Sequence, residues 1–291
     1  MDAFWIIITG FLVASCGGLL GSFLLLRKMT MIGDAISHAI LPGIVIAYLI
    51  SDSRSSIPML IGAATFGVFS TILIEFFHQK GKLQEDAAIG ISFTWLFAIG
   101  VILITYFADS VDLDQDCVLY GEIAYTPLDT WIFANNSLSV PKATLILFLN
   151  FIVILIYLIL GYKGLVLSSF DELCAKASGI STVFWHYSLM SLVSLTTVFS
   201  FESVGAILVV AFLVVPAATA FLLTHNLKKM LLYSVLIGLL SSICGYYLAV
   251  ILDGSIAGAM ASTTGIFFVL ALLFSPKNGL ITRKIIAKNQ E

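Results

Sequence analysis

The sequence predicts an all-α fold: a polytopic transmembrane bundle of about nine helices, N-terminus outside and C-terminus cytoplasmic. Three observations predict it. The 291 residues are 60% hydrophobic and only 11% charged, with a mean hydropathy of +1.08, against about 45–50% and about 25% in soluble domains. So few charges cannot cover a water-facing surface. Second, runs of roughly 20 apolar residues, the length that crosses a hydrocarbon core, fall at 4–26, 31–50, 57–77, 87–107, 142–162, 182–200, 203–223, 231–251 and 256–275. Third, with the N-terminus outside, 12 of the 14 basic residues fall in inner loops and the tail, and only Arg54 and Lys142 fall outside. That is the asymmetry membrane insertion favours.

Each element follows in order. The first run, Phe4 to Leu26, lacks a basic leader and is too long for a signal-peptide core, so it reads as a retained helix. The second run is interrupted by polar residues and Pro42, and the seventh is broken by Pro216. These two are the weakest, and eight helices result if one of them only dips into the membrane. Interrupted helices tend to line cavities, where freed backbone groups find partners.

Two connections exceed what loop closure needs. Residues 108–141 form an external acidic segment carrying Asp109, Asp112, Asp114, Asp116, Glu122 and Asp129. It reads as a solvated loop or as a mouth whose field attracts cations. It also contains the glycosylation-like triplet Asn135-Asn136-Ser137. On the inner side, LSSFDELCAKASGI (167–180) predicts a short helix capped by Ser169, with Asp171 and Glu172 in its first turn and Gly179 at its end. That helix is a docking element or an interfacial one. The rest is a single membrane domain over 1–291. Cys16, Cys117, Cys174 and Cys244 are scattered singly, which excludes a disulfide framework or thiolate zinc site.

The residues richest in chemistry are Gly33 to Gly43, GDAISHAILPG. Asp34 and His38 stand four apart, so on a helix they share a face and can touch one ligand. Ionisable groups inside a membrane segment cost at least about 2.5–3.5 kcal/mol and are usually partnered and functional. The bland alternative is that the two pair with each other, or cap a helix end, about a turn inside the inner surface. As a ligand set, a carboxylate with an imidazole suits Mn²⁺, Fe²⁺ or Zn²⁺ better than Cu⁺. Two ligands are too few for a dication; a symmetric dimer with this helix beside its axis doubles them to four. Ser37 and Glu202 are candidates for a gate or for the ion's first contact, Glu202 alternatively being a snorkelling surface carboxylate. Glu75 and His186 read as interfacial, as does His225, and His78 reads as loop.

Absences narrow the function. No phosphate loop occurs, the one Gly-Lys pair (Gly81-Lys82) being followed by Leu83, and neither H-E-x-x-H nor G-x-S-x-G is present. No basic block points to nucleic acid. The expectation is a transport subunit rather than an enzyme. The rivals are an ion-coupled secondary transporter or channel, and an intramembrane enzyme with Ser37 beside His38 as its only hint.

Across essentially its whole length the sequence resembles the permease subunits of the ABC-3 family of metal importers, in the manganese/iron/zinc branch. The likeness rests on Gly33–Gly43 and on DQDCVLYGEI (114–123) followed by Pro127-Leu128-Asp129-Thr130. It rests equally on FDELCAKASGI (170–180) and VGAILVVAFLVVPAATA (204–220). The resemblance implies a multi-pass protein of the bacterial inner membrane that binds no cofactor of its own and passes Mn²⁺, Zn²⁺ or Fe²⁺ inward. It also implies a second permease copy or a sister permease, a pair of cytoplasmic ATP-binding subunits, and an extracytoplasmic metal-binding lipoprotein. Asp34 and His38 become metal-pathway residues by similarity. The coupling surface on the ATPase falls within 216–229, with Pro216, Ala217 and Thr219, or within the 163–181 segment, with Asp171 and Glu172.

Overall fold

The computed structural model describes residues 2–51, 56–107, 123–133, 138–275 and 279. In chain order its helices are α1 (Asp2–Leu26), α2 (Ile32–Ala39), α3 (Leu41–Ser51), α4 (Ser56–Gln79) and α5 (Glu85–Phe107). After them come α6 (Lys142–Phe170), α7 (Glu172–Ala177), α8 (Thr182–Leu223), α9 (Leu227–Leu252) and α10 (Ile256–Phe274). Among the described residues nine spans are long and apolar enough to cross a membrane. They coincide with the nine apolar runs, α2 and α3 together making the second.

The sixth and seventh spans, Thr182–Phe201 and Ser203–Leu223, are the two limbs of α8 on either side of a kink at Gly205, and cross-contacts show that they run in opposite directions. Helices α1 and α6 are parallel: the Thr9 and Thr144 hydroxyls meet at 2.8 Å at one end, and Arg27 donates to Ser168 and Ser169 (both 2.9 Å) at the other. The first limb of α8 is antiparallel to α6, since Asn150 donates to Thr196 (3.0 Å) and Tyr157 meets Ser188 (2.7 Å). The second limb is parallel to α1. Val204 and Leu208 cluster with Ile6 and Leu12, whereas Ala220 and Leu223 cluster with Leu25 and Met230. The chain therefore reverses at Gly205, whose φ of 76° and ψ of 167° only glycine adopts readily.

Pro216, expected to break the seventh span, sits inside continuous helix. A proline in a membrane helix leaves the carbonyl four residues earlier without its donor, here that of Phe212. The neighbouring chain accommodates the disturbance: a Cβ on Gly17 would lie 2.9 Å from the Phe212 carbonyl oxygen, and one on Gly21 only 1.7 Å from that of Leu213. Bare glycines let α1 press directly on the second limb.

Helix α9 runs antiparallel to α1, with Gly10 facing Ser242 and Gly18 facing Ser234. Helix α10 returns so that Ser275 donates to the Leu222 carbonyl at 2.6 Å. The N-terminus and the end of α10 thus lie at opposite ends of the bundle, called here the Asp2 end and the Arg27 end. At the Arg27 end, burial holds the pKa of Arg27 below the ordinary guanidinium range, with nearby Tyr157 acting in the opposite sense.

The Asp2 end adds something an all-helical reading lacks. Strands β1 (Thr130–Phe133) and β2 (Leu138–Pro141) pair antiparallel, Thr130 opposite Pro141. The aromatic and β-branched run TWIF favours a strand. Asp129 then meets Lys142, the first residue of α6, at 2.6 Å. The other acidic residues of the segment, Asp109, Asp112, Asp114, Asp116 and Glu122, lie outside the described residues, as does the Asn135-Asn136-Ser137 triplet.

Candidate metal centre

Helix α2 carries Asp34 in its first turn and His38 in its last, the placement the helix dipole favours for an anion and for a protonatable base. The interruption foreseen near Pro42 is a joint at Ile40. Ile40 keeps helical angles (φ −77°, ψ −17°) and its N–H donates to Ile36 at 3.2 Å. Pro42 has no N–H, so the donor a regular helix would aim at the His38 carbonyl is missing.

Three neighbours set the depth of the pair. His38 packs on Phe93 and Phe97 (centroids 5.9 and 5.7 Å), which straddle the midpoint of α5. The Ile36 side chain lies 3.5 Å from where a Cβ on Gly67 would sit, halfway along α4. Gly33 lies against the Leu213 side chain, where a Cβ would come within 2.1 Å, halfway along the second limb of α8. The pair is therefore at mid-depth, not one turn inside the surface. The connection before α2 sinks into the bundle, burying Met29, and this lowers the start of the helix.

Asp34 Oδ1 and His38 Nε2 are 3.7 Å apart, with the His38 and Asp34 side chains 31% and 38% exposed. That separation is too long for a hydrogen bond. Two donors on one ion at about 2.1 Å and right angles are about 3 Å apart, so a small rotamer change puts both atoms on a shared cation. Both side chains are about one-third exposed within the single chain. Among the described residues no three His, Cys, Asp or Glu side chains are grouped so as to hold a metal ion. One chain offers half a coordination sphere.

The remaining candidates separate. Ser37 is 4% exposed and donates to the Gly33 carbonyl at 3.0 Å, so it is buried away from the half-exposed face that bears Asp34 and His38. Its hydroxyl is committed to its own helix, which removes the one hint of a nucleophile. Glu202 belongs to α8 just before the reversal at Gly205; its side chain lies outside the described residues.

Pro216, Ala217 and Thr219 were expected at a coupling surface, and here the structure corrects the sequence reading. They lie within the seventh span and are buried, Thr219 donating to the Val215 carbonyl at 2.7 Å. A proline-containing run looks like a loop in sequence, but the helix continues through it. Exposure in 216–229 is concentrated at His225, Asn226, Lys228 and Lys229. Asp171 and Glu172, by contrast, open the short helix α7, flanked by the exposed Phe170 (62%) and Leu173 (81%). Its cap is Asp171, accepting from the Cys174 N–H at 2.9 Å, rather than Ser169, which donates to the Leu165 carbonyl and accepts from Arg27. Gly179 (φ 74°) ends the turn as expected.

Sequence reasoning missed two features. The aromatic wall Phe93–Phe97 against His38 needs the α2–α5 packing to be known. Glu75 and His186, read as separate interfacial residues, form a pair at 3.0 Å, with Gln79 donating to the other carboxylate oxygen. Only the carboxylate's position within an apolar helix, a costly one, hinted that it had a partner. His78, read as loop, lies in the last turn of α4 with Nδ1 3.0 Å from the Leu83 carbonyl oxygen.

Residues 3–275 match the ABC 3 transport family. The chain is 47% identical over 287 residues to the manganese transport system membrane protein MntD of Bacillus subtilis (strain 168), covering 99% of this chain and 97% of that protein. It is 40% identical over 283 residues to the zinc transport system membrane protein TroD of Treponema pallidum (strain Nichols), covering 96% and 77% respectively. Among solved structures it resembles PsaBC from Streptococcus pneumoniae in complex with Fab, with a TM-score of 0.78 at 32% identity over 96% of this chain and 94% of that one.

Proposed function

Because this chain belongs to the ABC 3 transport family, we infer that it is the permease subunit of an ATP-driven importer whose cargo is a divalent transition metal, Mn²⁺ first and Zn²⁺ next. The observation that carries the reading is the Asp34–His38 pair: two hard-to-borderline ligands at mid-depth, partly exposed and joined by no third ligand-type side chain among the described residues. A second copy of α2 across a two-fold axis, from the same chain or a sister permease, supplies the other half of a four-ligand cage. Bare dications are prohibitively costly in hydrocarbon, so each water lost must be replaced by a ligand.

The Arg27 end is assigned to the cytoplasm, because Arg27, Lys28, Lys80, Lys82, Lys176, Lys228 and Lys229 gather there. Helix α7, together with His225 to Lys229, is the exposed relief at that end and receives the ATP-binding subunits. The hairpin and the reversal at Gly205 face the other side, where a metal-delivering lipoprotein docks. Hydrolysis in the partner subunits moves α7 and rocks the bundle, exposing the pair to either side in turn. The test is ⁵⁴Mn accumulation in cells carrying Asp34→Ala or His38→Ala in an otherwise intact transporter. Uptake falls to background in both; unchanged uptake in both would falsify the assignment.

A further inference from the structure

Glu75 and His186 repeat, nearer the Arg27 end, the ligand chemistry of the mid-depth pair. Glu75 Oε2 stands 3.0 Å from His186 Nε2, with side chains only 10% and 21% exposed. The two come from α4 and the first limb of α8, and both helices also pack against α2. Gln79, one turn on, donates to Glu75 Oε1 and fixes the carboxylate. Glu85, at the start of α5, feels the charges of Glu75, His78 and His186, and its Oε1 is buried with no hydrogen-bond partner among the described residues.

A polar stripe connects the two levels. Gly67, Thr71, Glu75 and Gln79 recur every fourth residue along α4, hence on one face. Gly67 lies at the level of Ile36, between Asp34 and His38, and Glu75 is eight residues further, about 12 Å toward the Arg27 end at about 1.5 Å per residue. Thr71 and Ser70 are buried on this helix. At the top of the stripe Ser194, fully buried, lies against Gly67, its hydroxyl unpartnered among the described residues.

Resting on the reading of this chain as a divalent-metal permease, we propose that Glu75 and His186 form a second cation station, through which the ion passes on its way from the mid-depth pair to the cytoplasm. The 3.0 Å between the ligating atoms is already the edge of a coordination polyhedron, about 3 Å for bonds of about 2.1 Å. The ion replaces the hydrogen bond without moving either backbone. Having only two protein ligands suits the task, because a station near the exit must hold the ion loosely enough to let it go. Water completes the sphere, and Glu85 contributes negative potential from the rim. Gln79 is a positioning residue.

The test uses Mn²⁺ as probe, titrated into the purified full chain in nanodiscs and read by electron spin-echo modulation from imidazole nitrogen. In the Asp34→Asn, His38→Gln chain, which keeps no imidazole at the mid-depth pair, a weak, nitrogen-coupled Mn²⁺ remains. Adding His186→Gln removes the nitrogen signal, and adding Glu75→Gln weakens the residual binding by about tenfold or more, the scale on which even supporting residues matter at metal sites. With the mid-depth pair removed, a clamp that merely ties α4 to α8 would give no nitrogen coupling, so its absence in Asp34→Asn, His38→Gln, or its persistence after His186→Gln is added, overturns the proposal. If the Asp34→Asn, His38→Gln background impairs folding, His186→Gln in the otherwise native chain decides: it removes the weaker of two binding classes or the proposal fails. The two readings fail differently. Binding lost only with Asp34→Asn removes the inner station and keeps the mid-depth site; binding lost only with Glu75→Gln does the reverse.

Discussion

Two carboxylate–imidazole pairs occupy this bundle, and they are built in opposite ways. Asp34 and His38 lie on one helix, 3.7 Å apart and about a third exposed. Glu75 and His186 are 111 residues apart in sequence on different helices, meet at 3.0 Å and are largely buried. Among the described residues the first pair makes no hydrogen bond and the second is hydrogen-bonded. An unbonded pair at mid-depth needs something from outside, a cation and a second protomer; a bonded one holds its helices together until a competing ligand arrives.

The largest expected effect breaks the comparison at its first member. Asp34→Ala or His38→Ala abolishes metal uptake while leaving assembly intact, because neither side chain is buried in a packed core. Uptake and the yield of folded protein, measured together, check this. Loss of folded protein in both would make the pair structural and erase the contrast.

Next in size are Glu75→Gln and His186→Gln. Each slows ⁵⁴Mn uptake by about tenfold without abolishing it, since the mid-depth site still loads. The stability consequences are reversed. In a double-mutant cycle on thermal unfolding, Glu75 and His186 couple by about 1.5–3 kcal/mol, as hydrogen bonds to charged groups do. Asp34 and His38, separated and partly exposed, couple by less than about 0.5 kcal/mol. Equal coupling energies would mean the two pairs do the same job.

The same contrast explains what was legible beforehand. The nine spans follow from apolar runs, and Asp34–His38 from a spacing of four on a helix; both are local patterns. The Glu75–His186 contact depends on how α4 and α8 pack, which no periodicity encodes. Depth was misjudged for a related reason: hydropathy marks where an apolar run starts, not that Met29 is drawn below the surface. Pro216 misled because a proline signals a break only when the freed carbonyl lacks compensation, and Gly17 and Gly21 bring α1 close enough to shield it. The reversal at Gly205 follows the polar residues Ser200, Glu202 and Ser203 that separate the sixth and seventh apolar runs, so it was legible as a boundary. Asp171 displaced Ser169 as the cap because α6 continues to Phe170, seven residues beyond Lys163.

A smaller effect falls on the link between the Arg27 end and its partners. Asp171→Ala removes the acceptor for the Cys174 N–H, costing about 1 kcal/mol of local helix stability. Loss of the cap frays α7, so ATP-driven uptake declines modestly while Mn²⁺ binding to the isolated chain stays the same. A parallel loss of binding would place Asp171 on the cation's path instead.

The smallest expected change is also the sharpest control. Ser37 stands next to His38, and the family-like segment that contains it invites a role in the ion's path. Its hydroxyl, however, donates to Gly33 and is almost wholly buried, so Ser37→Ala removes only a bond from a side chain to its own helix. Such bonds compete with the backbone's own and stabilise little, so stability should change by less than about 0.5 kcal/mol and uptake should match the native chain. Were Ser37→Ala to lower uptake as His38→Ala does, α2 would have to rotate during transport to bring Ser37 onto the face of Asp34. The mid-depth pair would then be only one of two arrangements that α2 presents to the ion.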